Sequence, residues 1–101
     1  MEVLQIEQGQ NAEVQILFAI ASLRAREGKL LKVIHGADPL RGKARRVLRR
    51  LKREGRVAYL VLGESFTEND STTRYLLDRF PECKNDEDFE KENGGVTLVA
   101  L

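Results

Sequence analysis

The feature of this chain that most limits its fold is the alternation of short apolar runs with segments of helical periodicity. Apolar runs lie at residues 3–6, 30–34, 57–62 and 96–101. Between the first three runs, apolar residues recur at i, i+3, i+4 and i+7, which predicts amphipathic helices. Strands that alternate with helices indicate an α/β domain with a parallel sheet and right-handed crossover connections.

Capping and breaking residues mark where these helices begin and end: Asn11 and Gly28, Pro39 and Gly55, and, for a short third helix, Asp70 or Ser71 and Pro81. The predicted order is βαβαβ(α)β. We therefore expect an α/β two-layer sandwich with about four strands, a mainly parallel sheet and two principal helices. Only the last strand is free to run antiparallel.

The length of the chain limits it to one domain. Its 101 residues suffice for one hydrophobic core and not for two, so residues 1–101 form a single predicted domain. No apolar run approaches the ~20 residues that cross a bilayer, and the N-terminus has no secretory pattern. We expect a cytoplasmic protein with no membrane contact. Cys83 is the one cysteine, and the neighbouring acids Asp86 to Asp88 would raise its pKa, which predicts an incidental thiol.

The charges are divided unevenly along the chain. Residues 41–56 hold nine basic residues against Glu54, a net charge of +8, whereas residues 57–101 carry −6. A ladder of cations suits the regularly spaced phosphates of a nucleic acid. The alternative is internal pairing, in which the acidic segment 64–92 folds back and covers the basic helix.

We expect phosphate contacts from the loop glycine and the basic residues nearest the start of the second helix: Gly36, Arg41, Lys43, Arg45, Arg46 and Arg49. The loops 7–10 and 35–39 follow strands predicted to be parallel, and α/β sheets bind ligands at that end. The start of the helix would add free N–H groups and a positive dipole. The target is DNA or RNA.

A catalytic alternative rests on His35, the only histidine, which titrates near neutral pH and could act as a general base or a metal ligand. Glu7 and Asp38 would supply carboxylates for a divalent cation. A structural role for His35, closing its loop through hydrogen bonds, is the competing interpretation. No cofactor is expected for the binding function, and Mg²⁺ or Mn²⁺ would serve only a nuclease.

The aromatic residues offer no stacking platform. Phe18, Tyr59, Tyr75 and Phe80 fall at helix or strand positions typical of a core, and the basic helix has no aromatic residue. Proteins that bind single strands interleave aromatic and basic residues. This pattern favours structured or duplex nucleic acid, or contact with the backbone alone.

Several short motifs resemble the small MutS-related (Smr) domain family. Val33-Ile34-His35-Gly36 matches the start of that family's His-Gly-x-Gly-x-Gly motif, Leu40-Arg41 matches the opening of the following helix, and residues 94–99 match its last strand. The first family motif, Leu-Asp-Leu-His-Gly, reads Leu-Gln-Ile-Glu-Gln-Gly at residues 4–9. The two later glycines of the second motif are absent.

This resemblance implies a fold like the C-terminal domain of translation initiation factor 3. It also implies nucleic-acid binding and, in some relatives, metal-assisted nicking. Three functions therefore remain open. They are a nucleic-acid-binding domain, a metal-dependent endonuclease, and a protein-interaction domain that docks an acidic partner on the basic helix. The sequence does not indicate an oligomeric state.

Overall fold

Four strands and three α-helices follow one another in the predicted order. The computed structural model describes all residues from 1 to 101. The elements are β1 Glu2–Gln5, α1 Ala12–Ala25, β2 Leu30–Ile34, α2 Leu40–Arg53, β3 Tyr59–Leu62, α3 Ser71–Arg79 and β4 Val96–Ala100. Two 3₁₀ turns, Gly63–Ser65 and Pro81–Asn85, flank α3.

The sheet is mixed, with the strand order β1-β2-β4-β3. β1 and β2 are parallel, whereas β4 is antiparallel to both of its neighbours, β2 and β3. β1, β2 and β3 therefore run in one direction, as expected, but only one adjacent pair is parallel. The prediction of a mainly parallel sheet is corrected in this respect. β4 pairs on both sides and is therefore central, and all five of its residues are buried.

The two principal helices cover one face of the sheet. Ile16 and Ile20 of α1 and Leu48 and Leu51 of α2 are at most 2% exposed. They pack in one cluster with Leu31, Val33 and Val99 from the strands. Apolar burial on this scale stabilises the domain by roughly 1.5–3 kcal/mol per large side chain. The side chains that α2 buries are those its helical periodicity predicted. For α1 the i, i+4 and i+7 spacing of Val14, Phe18 and Ala21 predicted the buried face, but these three residues are exposed and Ile16 and Ile20 are buried instead.

The opposite face of the sheet is covered as well, by α3 and residues 80–89. Phe66, Leu76 and Cys83 pack there against Leu98 and Val61 of the sheet. Lys32 lies under the same cover, only 3% exposed, and its ammonium forms ion pairs with Asp86 and Asp88. Residues 84–93, whose acidity and few apolar residues predict a loop or frayed helix, are held in place by these contacts. The predicted two-layer sandwich therefore has a partial third layer, formed by α3 and residues 80–89.

The element ends differ slightly from those predicted. The side chain of Asn11 accepts the Val14 N–H and caps α1, as expected. α1 ends at Ala25, before Gly28, because Glu27 takes the left-handed backbone conformation with φ of 60°. Gly55, with φ of 77°, follows the end of α2 as predicted. Strand β3 begins at Tyr59, two residues later than Val57.

Two further findings concern the reactivity of the Cys83 thiol and the length and polarity of the helices. Cys83 is a buried free cysteine, and burial, with Glu82 and Asp86 nearby, raises the pKa of its thiol to about 11. Such a thiol is unreactive at neutral pH. None of the helices has the length and apolar character to cross a bilayer.

Candidate nucleic-acid interface

The outer face of α2 is the most basic surface of the domain. Ala44, Leu48 and Leu51 turn inward, so the basic residues between them are distributed over the rest of the helix circumference. Six of the nine cations in residues 41–56 are exposed and take part in no ion pair: Lys43, Arg46, Arg49, Lys52, Arg53 and Arg56. This group is called the free cations below.

The remaining three cations are paired within the domain. Arg41 contacts Asp38 at 3.0 Å, and Arg50 contacts Glu13 at 3.1 Å and Glu54 at 3.7 Å. The third, Arg45, binds Glu64, the only residue of the acidic segment 64–92 that pairs with this helix. Most of that segment's charge therefore lies elsewhere, and it does not cover the basic face.

Arg45 does not lie on the surface where the sequence placed it. The residue is 7% exposed, and its guanidinium donates to both carboxylate oxygens of Glu64 at 2.9 and 2.6 Å. Its Nε donates to Thr97 Oγ1 at 3.1 Å, and Nη2 also donates to the Gly94 and Val96 carbonyls. This hydrogen bonding lowers the pKa of Glu64. Because its donors are used internally, Arg45 has none to offer a phosphate.

A groove of about 520 Å³ runs between α2 and the first turn of α1. Lys43, Arg46, Arg50 and Arg53 form its basic wall, and Glu13 lies across from them. A second groove of about 470 Å³ continues it over the loop after β1, sharing Asn11, Ala12 and Lys43. Gln8, Gly9 and Gln10 of the first loop and Pro39 of the second line this groove, so the two loops lie next to each other, but His35 and Gly36 are not part of it.

The His35-Gly36 loop has few free donors. The backbone N–H groups of His35 and Gly36 both donate to the Gly95 carbonyl, at 3.0 and 2.9 Å. At the start of α2, the Asp38 carboxylate accepts from the Gly42 N–H and from Arg41. These two donors lower the pKa of Asp38. A carboxylate therefore already occupies the helix end that was expected to receive a phosphate.

His35 is buried, 3% exposed, and both of its ring nitrogens are hydrogen-bonded. Nδ1 lies 2.8 Å from the Gly36 carbonyl oxygen, which only accepts, so the proton is assigned to Nδ1. Nε2 then accepts from Thr97 Oγ1 at 2.9 Å. Burial lowers the pKa of His35, and the charges of Arg45 and Arg41 lower it further. This geometry fits the interpretation in which His35 has a structural role and closes its loop through hydrogen bonds.

The three candidate catalytic residues do not assemble a metal site. Glu7 is exposed, and its backbone N–H donates to Gln15 Oε1 at 3.0 Å. Asp38 is committed to α2, and the lone pair of His35 faces Thr97. No three His, Cys, Asp or Glu side chains in the domain are grouped so that they could hold a metal ion.

Sequence reasoning missed Thr97 and Glu64, which organise the interior of this site. Thr97 is a fully buried polar residue in a strand of valine and leucine, and such a residue needs a hydrogen-bonding partner. That was a usable signal. Glu64 gave none, because it meets Arg45 only through the fold, 19 residues apart.

The fold has a counterpart among solved structures. The chain is similar to the crystal structure of the Smr domain of Thermus thermophilus MutS2, with a TM-score of 0.62 and 21% identity. The similarity covers 100% of this chain and 98% of that one. No protein-family model and no curated protein sequence matches the chain. The resemblance seen in the short motifs is confirmed in three dimensions, and the chain has the fold of an Smr domain.

Proposed function

We propose that this domain binds the phosphate backbone of DNA or RNA through the free cations on and just after α2 and through the adjoining groove. The observation that carries the proposal is the exposure of six basic side chains that have no acidic partner. A folded domain gains nothing from gathering like charges on one face, since they repel one another. A polyanion relieves that repulsion and releases its own counterions when it binds.

The composition of the surface favours backbone contact over base recognition. Lys43, Arg46 and Arg49, which the sequence singled out, belong to it. Gly36 and Arg41 do not, because the Gly36 N–H donates to the Gly95 carbonyl and Arg41 is paired with Asp38. Arg45 is left out because it is buried. Long flexible cations fix the position of a phosphate chain but carry no sequence information. We therefore expect weak sequence preference and strong dependence on salt.

The salt dependence sets a quantitative expectation. Six phosphate contacts on duplex DNA would give log K against log salt a slope of about −5. The fold shared with the Smr domain of MutS2 is compatible with this function, and the family resemblance implies it. Nicking is the second function that the resemblance implies, but the donor set at His35, Glu7 and Asp38 does not fit a metal ion.

The experiment is a binding titration on labelled duplex DNA, structured RNA and single-stranded oligomers across a salt series. Mg²⁺ or Mn²⁺ is present, and the products are separated on a denaturing gel. The test variant is Arg46→Ala with Arg49→Ala. Its matched control is Lys29→Ala with Lys91→Ala, two exposed cations outside α2 that also have no ion pair.

The test variant should bind about tenfold or more weakly, and its salt slope should become shallower by about 2. The control should bind nearly as well as the wild type. Equal losses in the two variants, or no binding by the wild type, would overturn the proposal. Cut strands would establish the nuclease activity instead.

A further inference from the structure

The outer face of α1 is apolar and has no partner within the domain. Val14, Phe18, Ala21 and Ala25 recur at helical spacing and are all exposed, with Phe18 76% and Val14 62% accessible. These four residues are called the outer stripe. The inward face of the same helix carries the buried residues Ala12, Ile16, Ile20 and Leu23. A helix that is apolar on both sides is typical of one that is covered on both sides.

The position of Phe18 corrects a prediction. The sequence placed this residue in the core, but the core is filled by the opposite side of the helix. The outer stripe spans three helical turns, about 16 Å. Leu17, half-buried, borders it on the side of α2. An apolar strip of this length that contains a large aromatic residue is characteristic of a surface that binds another protein.

The charges beside the stripe indicate what kind of partner fits. The groove between α2 and the first turn of α1 ends at Glu13, directly before Val14, the first residue of the stripe. Cations form its α2 wall, and Lys43, Arg46 and Arg53 among them are unpaired. A second copy of this chain packed face to face over both helices would bring these cations against their own equivalents. Like charges brought together in an interface cost several kcal/mol. A partner with carboxylates on one flank meets the same cations favourably.

We propose that the outer stripe and the adjoining groove bind an acidic amphipathic helix of another protein. Its apolar side would rest on Phe18 and Val14, and the acidic residues along one flank would face Lys43, Arg46 and Arg53. A helix laid beside two helices fits a groove that is open along its length. This inference does not depend on nucleic-acid binding. Because both ligands use Arg46 and Arg53, they compete.

The test uses a fluorescently labelled synthetic peptide of about five helical turns. It carries leucine at i, i+3, i+4 and i+7 with glutamate elsewhere, and a control peptide of identical composition has its leucines at alternate positions. Binding is measured by anisotropy on wild type, on Val14→Gln with Phe18→Gln, and on Tyr75→Gln. Tyr75 is an exposed aromatic residue of α3, outside the proposed surface.

The helical peptide should bind the wild type and the Tyr75 variant, and binding should weaken about tenfold in the stripe variant. Glutamine has a higher helix propensity than valine or phenylalanine, so α1 is preserved and circular dichroism should be unchanged. Affinity for duplex DNA should stay the same in the stripe variant, and the peptide should displace DNA from the wild type.

Three results would overturn the proposal. They are equal affinity for the two peptides, undiminished peptide binding by the stripe variant, and no saturable binding of the helical peptide. A loss of oligonucleotide affinity in the stripe variant would reassign Phe18 to base stacking. Binding to anionic phospholipid vesicles that depends on Phe18, without peptide binding, would reassign the stripe to a membrane surface.

Discussion

Arg45 and Glu64 form a bidentate ion pair that joins α2 to the turn after β3. The two hydrogen bonds measure 2.9 and 2.6 Å, and the Arg45 side chain is 8% exposed, against 42% for Glu64. The neighbouring Arg46 has the opposite environment, exposed and unpaired. Two consecutive arginines in one helix thus have different roles.

Replacing Arg45 by alanine should destabilise the domain by roughly 2–3 kcal/mol, because Thr97 and the Gly94 and Val96 carbonyls lose their donors inside the protein. Arg46→Ala should change the free energy of unfolding by about 0.5 kcal/mol or less. Urea unfolding measures both. Nucleic-acid affinity, measured on folded protein, should fall only in the Arg46 variant. Equal stability losses in the two variants would contradict this division.

His35 should make the stability of the domain depend on pH. Its pKa is lowered in the folded state, chiefly by burial, from the ordinary value of 6.5. The unfolded chain therefore takes up a proton at a higher pH than the folded domain. Stability should be highest above about pH 7 and should fall as the pH drops through 6.5 toward 5.

The measurement is urea unfolding across that range, compared with His35→Gln. The variant has no histidine, so its free energy of unfolding should be nearly flat down to about pH 5. The paired carboxylates, such as Glu64, have lowered pKa values and contribute only below that range. If wild type and variant lose stability in parallel, His35 is not the responsible group.

The order of strands and helices could be predicted because it depends on local patterns. Apolar periodicity located all four strands, and Asn11 and Gly55 marked helix ends where the structure has them. The central place of β4 could not be predicted, because strand pairing depends on contacts between residues far apart in sequence. Leu98 pairs with Lys32 on one side and Val61 on the other.

The candidate site was predicted in part, for the same reason. The exposed charges of Arg46 and Arg49 follow from the helical period, since both lie away from the apolar stripe of α2. Arg45 borders that stripe, and it is buried by partners far away in sequence, among them Thr97 and Glu64, 52 and 19 residues away. The position of Phe18 was predicted wrongly because α1 is apolar on both faces, so helical periodicity does not indicate which face is buried.

Lys32 should be essential for holding the acidic stretch after α3. Burial disfavours its charge, but hydrogen bonds to Asp88 and Asp86 outweigh this and raise the pKa of the ammonium. Lys32→Met would leave two carboxylates against the sheet without a cation. We expect a loss of about 3 kcal/mol in the free energy of unfolding.

Adding Asp86→Asn and Asp88→Asn to Lys32→Met should recover part of that loss, because the uncompensated charges are then removed. Urea unfolding of the single and triple variants checks this. A triple variant less stable than Lys32→Met would show that the carboxylates stabilise the segment by other means, such as the bond from Asn93 to Asp88.

Substitutions of Asp38 distinguish the nucleic-acid-binding hypothesis from the metal-dependent nuclease hypothesis. Its carboxylate is 3.0 Å from Arg41 and accepts the Gly42 N–H, so it neutralises a cation and covers the start of α2. Asp38→Ala frees both donors and removes a negative charge beside the basic face. Affinity for duplex DNA should therefore rise a few-fold at low salt, and the increase should shrink as salt is added. The melting temperature should fall slightly, because α2 loses a capping contact.

Asp38→Asn is the matched control, since it removes the charge but keeps an oxygen that can accept from Gly42. It should gain affinity with less loss of stability. A metal-dependent nuclease that used Asp38 as a ligand would show the reverse, with affinity in Mg²⁺ unchanged or lower and cleavage lost in both variants.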